Sequence, residues 1–208
     1  MKIAVINETS AGDKNKDILG ALEGFGHEVL NAGMKERGGQ PELTYIHTGF
    51  LAAALINLGR VDLVVGGCGT GIGFLNSVVQ YPNVVAGIIS GPLDAWLFAQ
   101  INAGNVLSLP LNQGYGWAGE TNLRFIFEKL FSVTSGCGYP PHRAESQAQS
   151  RQTLQAISRT SHLPFAEIVA KLDERVVGPV LAFPGVLDLL QIDAIQDPAL
   201  RAAFQSRR

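Results

Sequence analysis

The nine residues GGCGTGIGF, positions 66–74, set the thiol of Cys68 among five glycines and a threonine, directly after the largely apolar run Val61–Val65. A glycine-rich turn ahead of a helix points backbone N–H groups into one concavity, and the helix dipole adds positive potential there. A thiol beside such a turn has its thiolate form favoured. Together these groups suit removal of a proton next to a carbonyl: the thiolate lifts the C–H proton, the amides stabilise the enediolate oxygen, and the proton returns to the neighbouring carbon. That chemistry is aldose–ketose isomerisation without a metal. The competing view is a small buried cysteine at a strand end, which the cysteine alone would favour; the surrounding glycines reverse the preference.

Other chemistries fit these residues less well. A P-loop ends in Gly-Lys-Ser/Thr, whereas this loop ends in Gly73-Phe74, and the G-x-G-x-G spacing of Gly69, Gly71 and Gly73 is not the G-x-G-x-x-G of a dinucleotide site. A nucleotide-binding α/β domain is weakened further by the lack of a ribose-binding acid in the expected place. His27, His47, His142 and His162 are scattered, so neither a cysteine–histidine hydrolase nor a metal site has the necessary spacing. No metal and no cofactor is expected.

The elements that must hold this loop follow from the periodicity. Short apolar runs near Lys2–Asn7, His27–Ala32, Asp62–Gly67, Val84–Ile89 and Asn105–Pro110 alternate with helical patterns near Asp13–Gly24, Ile46–Leu58, Phe74–Gln80, Pro92–Ala103 and Trp117–Leu130. This alternation predicts a three-layer, Rossmann-like α/β fold with a five-stranded parallel sheet. Ligands in such folds sit outside the carboxyl ends of the strands, which directs attention to the loops after Asn7, Gly67, Ile89 and Pro110. Past Gly136–Pro141 the glycines thin out and helical spacing dominates. The reading is therefore an α/β domain over residues 1–143 and a helical C-terminal extension over 144–208, whose Leu181, Phe183, Val186, Leu187, Leu189 and Leu190 must be buried against the main domain or a partner subunit.

With 208 residues, 46% hydrophobic and 16% charged, and a formal charge of −2, the chain has enough apolar content for a substantial core and no basic surface for nucleic acid. Neither a secretory leader nor a membrane-spanning stretch is read, so a cytoplasmic protein is expected. Two cysteines, Cys68 and Cys137, make a disulfide framework improbable.

Lys2-Ile3-Ala4 at the start, Cys68-Gly69-Thr70-Gly71-Ile72-Gly73 after the third strand, and Gln100-Ile101-Asn102-Ala103-Gly104-Asn105-Val106-Leu107 before the fifth resemble the type B ribose-5-phosphate isomerase and galactose-6-phosphate isomerase family. The resemblance covers about residues 1–143, and a divergent branch with a Gly-Tyr-Gly-Trp segment, here Gly114–Trp117, and a helical extension is the nearer match. It implies a sugar-phosphate isomerase with Cys68 as the base that shuttles the proton and Thr70 assisting the reacting oxygens. Gly69, Gly71 and Gly73 would supply the amides, Asn102 would contact sugar hydroxyls, Glu8 would stand for the aspartate after the first strand, and Arg143 would bind phosphate. It also implies a homodimer or homotetramer in which the Asn102 region of one chain reaches the Cys68 loop of its neighbour.

Several family positions differ. Thr9 and Ile101 stand where the family has histidines, the second being the ring opener; Tyr139 replaces the first phosphate arginine and Asn112 another arginine. Isoleucine transfers no proton, so the substrate expected is a short or open-chain sugar phosphate that needs no ring opening. Lys14, Asn15 and His142 are possible substitutes for the phosphate ligands, although each is more simply a surface group. Asp94 reads as an exposed acid favoured by the helix dipole, and Trp96, Phe98 and Trp117 as packing or interface residues. The rival function, favoured by the missing histidines, is a non-catalytic sugar-phosphate binding or regulatory homologue.

Overall fold

The computed structural model describes residues 1–208 and contains five strands. They are β1 (Lys2–Asn7), β2 (Glu28–Asn31), β3 (Leu63–Cys68), β4 (Ala86–Ile88) and β5 (Val106–Pro110), all parallel, in the spatial order β2-β1-β3-β5-β4. Every strand predicted from the apolar runs is present: β1 matches, β3 is shifted one residue onward to include Cys68, and β2, β4 and β5 are shorter at one or both ends. Between them run α1 (Asn15–Leu22), α2 (Tyr45–Asn57), α3 (Ile72–Val78), α4 (Pro92–Leu97) and α5 (Gly119–Phe131). The expected helix over 13–24 begins instead as a 3-10 turn, Thr9–Lys14, and the one over 92–103 passes into a π-helical turn, Phe98–Asn102, ending at Ala103 in the left-handed region.

Alternation along the strands separates two cores. Ile3, Val5, Leu63, Val65, Leu107 and Leu109 face one side, with Ile18, Ala95, Leu123 and Phe127 from α1, α4 and α5. Ala4, Ile6, Val64, Cys68 and Val106 face the other, against Phe50 and Leu51 of α2 and Phe74 of α3. A sheet covered on both faces needs apolar residues at successive positions, which is why its strands read as continuous apolar runs.

The extension consists of α6 (Ala144–Ser161), α7 (Phe165–Lys171), α8 (Glu174–Leu181), α9 (Val186–Leu190) and α10 (Pro198–Gln205). Of the residues expected to need burial, Leu181, Val186 and Leu190 are buried against their own chain and Phe183, Leu187 and Leu189 pack half-buried on the same core, whereas Leu154, Ile157 and Leu163 are exposed. Phe165 and Phe204 lie with their ring centroids 6.5 Å from that of Phe50, and Val177, Val180, Val186 and Leu190 complete the same core. His47 in the first turn of α2 joins Thr44 through Nδ1 and the Arg175 carbonyl through Nε2, at 3.0 Å, so one side chain caps α2 and docks α8. In contrast, α6 buries none of its 18 residues. It is tied down by Arg151, whose guanidinium donates to the carbonyls of Ile101 at 2.8 Å and Gly136 at 3.0 Å.

Candidate active site

β1 leads to β2 on one side and β3 begins the run to the other, so the crevice at their carboxyl ends is the topological switch point of the sheet. Register places Asn7 beside Gly67 and Cys68 beside Pro110, which brings the exits of β1, β3 and β5 together. Close packing explains the glycines. A Cβ at Gly66 would stand 2.5 Å from the Phe74 ring, one at Gly67 would overlap the Leu109 carbonyl, and Gly71 begins α3 at φ 74°, a left-handed conformation that favours glycine. The Gly71 carbonyl is held at 2.6 Å by the fully buried hydroxyl of Ser108 in β5.

Cys68 is 6% exposed, its Sγ 4.0 Å from Thr70 Oγ1. The Cys68 carbonyl accepts from Leu111 N at 3.0 Å and Gly71 N at 3.3 Å, and Thr70 Oγ1 accepts from Ile72 N at 3.3 Å. Glu8, 4% exposed, receives Ser10 N on Oε1 at 3.0 Å and the Ser10 hydroxyl on the same oxygen, while Oε2 takes no hydrogen bond from the protein. The Ser10 hydroxyl accepts from Gly69 N at 3.1 Å. Gly69 and Gly71 therefore offer no free amide to a ligand: the turn expected from the glycines is present, but the first N–H is committed to the Ser10 hydroxyl and the second to the Cys68 carbonyl.

Glu8, Cys68, Gly69, Thr70, Gly71 and Gly73 thus converge at the carboxyl ends. Asn102 and Arg143 do not join them within the chain. Asn102 closes the π-helical turn three residues before Asn105, whose carbonyl receives Val64 N at the amino end of β3. Cys68 lies four residues further along that strand, about 13 Å away at roughly 3.3 Å per residue. Arg143 bonds Ser146 at the start of α6. The same end of the molecule holds Trp96, whose ring packs edge-on against Tyr139 at 4.7 Å, and Gln100, which accepts from the Cys137 thiol at 3.4 Å.

Of the suggested substitutes for phosphate ligands, Lys14 and Asn15 are engaged elsewhere, whereas His142 is exposed. Lys14 pairs with Asp13 at 2.8 Å and stands 4.9 Å from the centre of the Tyr115 ring. The Lys14 hydrogen bond holds the Asp13 carboxyl below its usual range. Asn15 exchanges two hydrogen bonds with Asn31. Burial and then the hydrogen bond to Asp17 raise the Tyr115 hydroxyl well above its usual range, so it remains protonated and donates at 2.8 Å. Asp94 accepts from Ser90 N and Gly91 N as a helix cap, and Trp117 stands in solvent, 96% exposed, rather than packing within the chain. No three His, Cys, Asp or Glu side chains converge with metal-binding geometry. Ser10, Ser108 and Arg151 were not evident from the sequence as parts of this construction, because no local motif marks a serine or arginine whose partners lie tens of residues away.

The ribose/galactose isomerase family model matches residues 3–129, and the chain belongs to that family. It is similar over 100% of its length to a 4-deoxy-L-threo-5-hexosulose-uronate ketol-isomerase crystallised with tartrate, with 35% identity, 99% of that chain covered and a TM-score of 0.91. It is equally similar in extent to a ribose-5-phosphate isomerase from Vibrio parahaemolyticus, with 38% identity, 99% of that chain covered and a TM-score of 0.93. The type B ribose 5-phosphate isomerase of Leishmania infantum shares the fold at 16% identity and a TM-score of 0.64, covering 77% of this chain and 98% of its own. No curated protein matches the chain. The first two similarities extend through the helical extension. No single helix is long and apolar enough to cross a membrane.

Proposed function

We propose that the protein is a metal-independent aldose–ketose isomerase of the cytoplasm that works through a cis-enediolate, with Cys68 as the proton-transferring base. The observation that carries this reading is the joint placement of the Cys68 thiol, the Thr70 hydroxyl and the buried Glu8 carboxylate at the β1/β3 crevice. In the aldose-to-ketose direction the thiolate removes the proton from C2, and the electron pair forms the C1–C2 double bond as O1 becomes the oxyanion. The O2 hydroxyl proton passes to O1 while C2 becomes the carbonyl, and Cys68 delivers its proton to C1. Thr70 stands close enough to support the reacting oxygens.

The substrate in this reading is an open-chain anionic sugar, because Ile101 occupies the family position of the ring-opening histidine and moves no proton. A sugar phosphate is the first candidate, anchored by Arg143. A sugar acid is a second, favoured by the 35% identity to a uronate ketol-isomerase along the whole chain. Asn102 and Cys68 lie at opposite ends of the sheet, so a role for Asn102 requires the loop of another chain. We therefore propose a homodimer, or a homotetramer built from it, with shared sites.

Solvent deuterium incorporation at C2 tests the reading across tetrose, pentose and hexose phosphates and open-chain keto-uronates. Incorporation with one of them identifies turnover and its substrate class. Tight binding of a sugar phosphate with no incorporation into any substrate would instead identify the non-catalytic homologue.

A further inference from the structure

Ser10 has no evident chemistry in the sequence, yet its hydroxyl links the Glu8 carboxylate to the Gly69 N–H of the Cys68 loop. Its hydroxyl lies between a group that can only donate, Gly69 N–H at 3.1 Å, and the Glu8 carboxylate, which as an anion only accepts. The hydroxyl proton therefore has one available direction, toward Glu8. The remaining polar atoms close a ring through the third strand. Asn112 Nδ2 donates to the Ser10 carbonyl at 2.8 Å, and Asn112 N donates to the Gly69 carbonyl at 2.9 Å. The exits of β1, β3 and β5 are thus joined by a closed circuit of hydrogen bonds at Ser10, Gly69 and Asn112.

The peptide bond between Cys68 and Gly69 lies at the centre of that circuit. Leu111 N and Gly71 N hold its carbonyl oxygen, and Ser10 Oγ alone holds its N–H. The carbonyl side is pinned by backbone, whereas the amide side depends on one side chain. The Cys68 Cα belongs to this peptide unit, so a shift of the unit after loss of the Ser10 contact displaces the Cα and with it the thiol. The same hydroxyl keeps Glu8 Oε1 occupied and leaves Oε2 as the oxygen without a protein partner.

We propose that Ser10 is a positioning residue for the reaction, acting through Gly69 on the thiol of Cys68 and through Oε1 on the orientation of Glu8. The proposal rests on the isomerase reading for its kinetic consequence, but not for its effect on the thiol. Misplacement of a reacting group by about 1 Å can cost about a hundredfold in rate. Ser10→Ala is therefore expected to lower kcat by roughly 10- to 100-fold, with KM changed by less than about threefold. Ser10→Thr, which keeps the hydroxyl, is expected to restore kcat to within about threefold of the parent protein.

Carboxymethylation of Cys68 by iodoacetate separates the two levels because it requires no turnover. Its rate is expected to change at least about threefold in Ser10→Ala and to return in Ser10→Thr. Asn112→Ala cuts the circuit at its exposed side and is expected to shift both readouts in the same direction by a smaller factor. An unchanged carboxymethylation rate in both Ser10→Ala and Asn112→Ala overturns the proposal, whatever the substrate turns out to be. So does a loss of kcat in Ser10→Ala that Ser10→Thr fails to restore. If Cys68→Ser retained turnover while carboxymethylation still responded to Ser10→Ala, the isomerase reading of Cys68 would fall and the positioning of its thiol would stand.

Discussion

The carboxyl-end loops around Cys68 and the amino-end turn around Asn102 are built on different principles. The first is a meeting of three strand exits held by Ser10, Gly69 and Asn112, with Cys68 and Glu8 almost wholly buried. The second is a π-helical turn that ends in a left-handed alanine and is braced from outside by Arg151 of α6. π-Helical turns recur at functional sites and need support from their surroundings. The difference teaches that the residues proposed for the site lie in two separate regions of one chain. The Cys68 region is supported by the sheet itself, whereas the Asn102 region depends on the extension.

Cys68→Ser bears most heavily on the first region. We expect turnover to fall at least about a hundredfold with the fold unchanged, since general-base catalysis is typically worth 10² to 10⁴ and a serine hydroxyl does not ionise at neutral pH. Steady-state kinetics alongside circular dichroism checks this, and near-parental turnover would make Cys68 a structural residue. For the second region, Asn102→Ala is expected to cost roughly tenfold, the scale of a lost hydrogen bond to substrate. Mixing inactive Cys68→Ser chains with Asn102→Ala chains should regenerate activity in hybrid dimers. Failure to regain any activity after verified subunit exchange would sink the shared site.

A smaller effect is expected from the bracing. Arg151→Ala should change KM and kcat together by about three- to tenfold through the Asn102 turn, whereas Arg143→Ala should raise KM more than it lowers kcat, as for a remote anchor. A KM unaffected by Arg143→Ala with a phosphate substrate would move the choice to the sugar-acid reading.

The smallest expected effect belongs to a residue far from both regions. His27 packs edge-on against Phe131 at 4.5 Å with its Nε2 buried and unpartnered, and burial pushes its pKa below 6.5. The folded state thus binds the imidazole proton less well than the unfolded chain. Its contribution to stability is fully present above pH 6.5 and is lost as pH falls through the depressed folded value. Melting temperatures of the parent and His27→Gln proteins should diverge least near pH 5 and most near pH 7.5; parallel profiles would remove the assignment.

Much of this molecule could be read from residue order. Both-face apolar runs separated by helical spacing specify a covered parallel sheet, because the strand period of two cannot place successive apolar residues unless each face is buried. The Cys-Gly-Thr-Gly-x-Gly string marks the loop and its family, and glycines in and before it meet local demands, a close approach at Gly66 and Gly67 and a left-handed turn at Gly71. What only the tertiary structure decided has a common character. The covering of α2 by Phe165 and Phe204 joins residues more than a hundred positions apart, and helical spacing alone left the extension free to cover its own domain or a partner. Ser10 reaches Gly69 across 59 residues, and Asn112 reaches Ser10 across 102. Hydrogen bonds of this kind leave no periodic trace, since a serine in a turn reads the same whether its hydroxyl meets water or pins a catalytic loop. The separation of Asn102 from Cys68, by contrast, was legible, because a parallel sheet puts the loop before β5 and the loop after β3 at opposite ends.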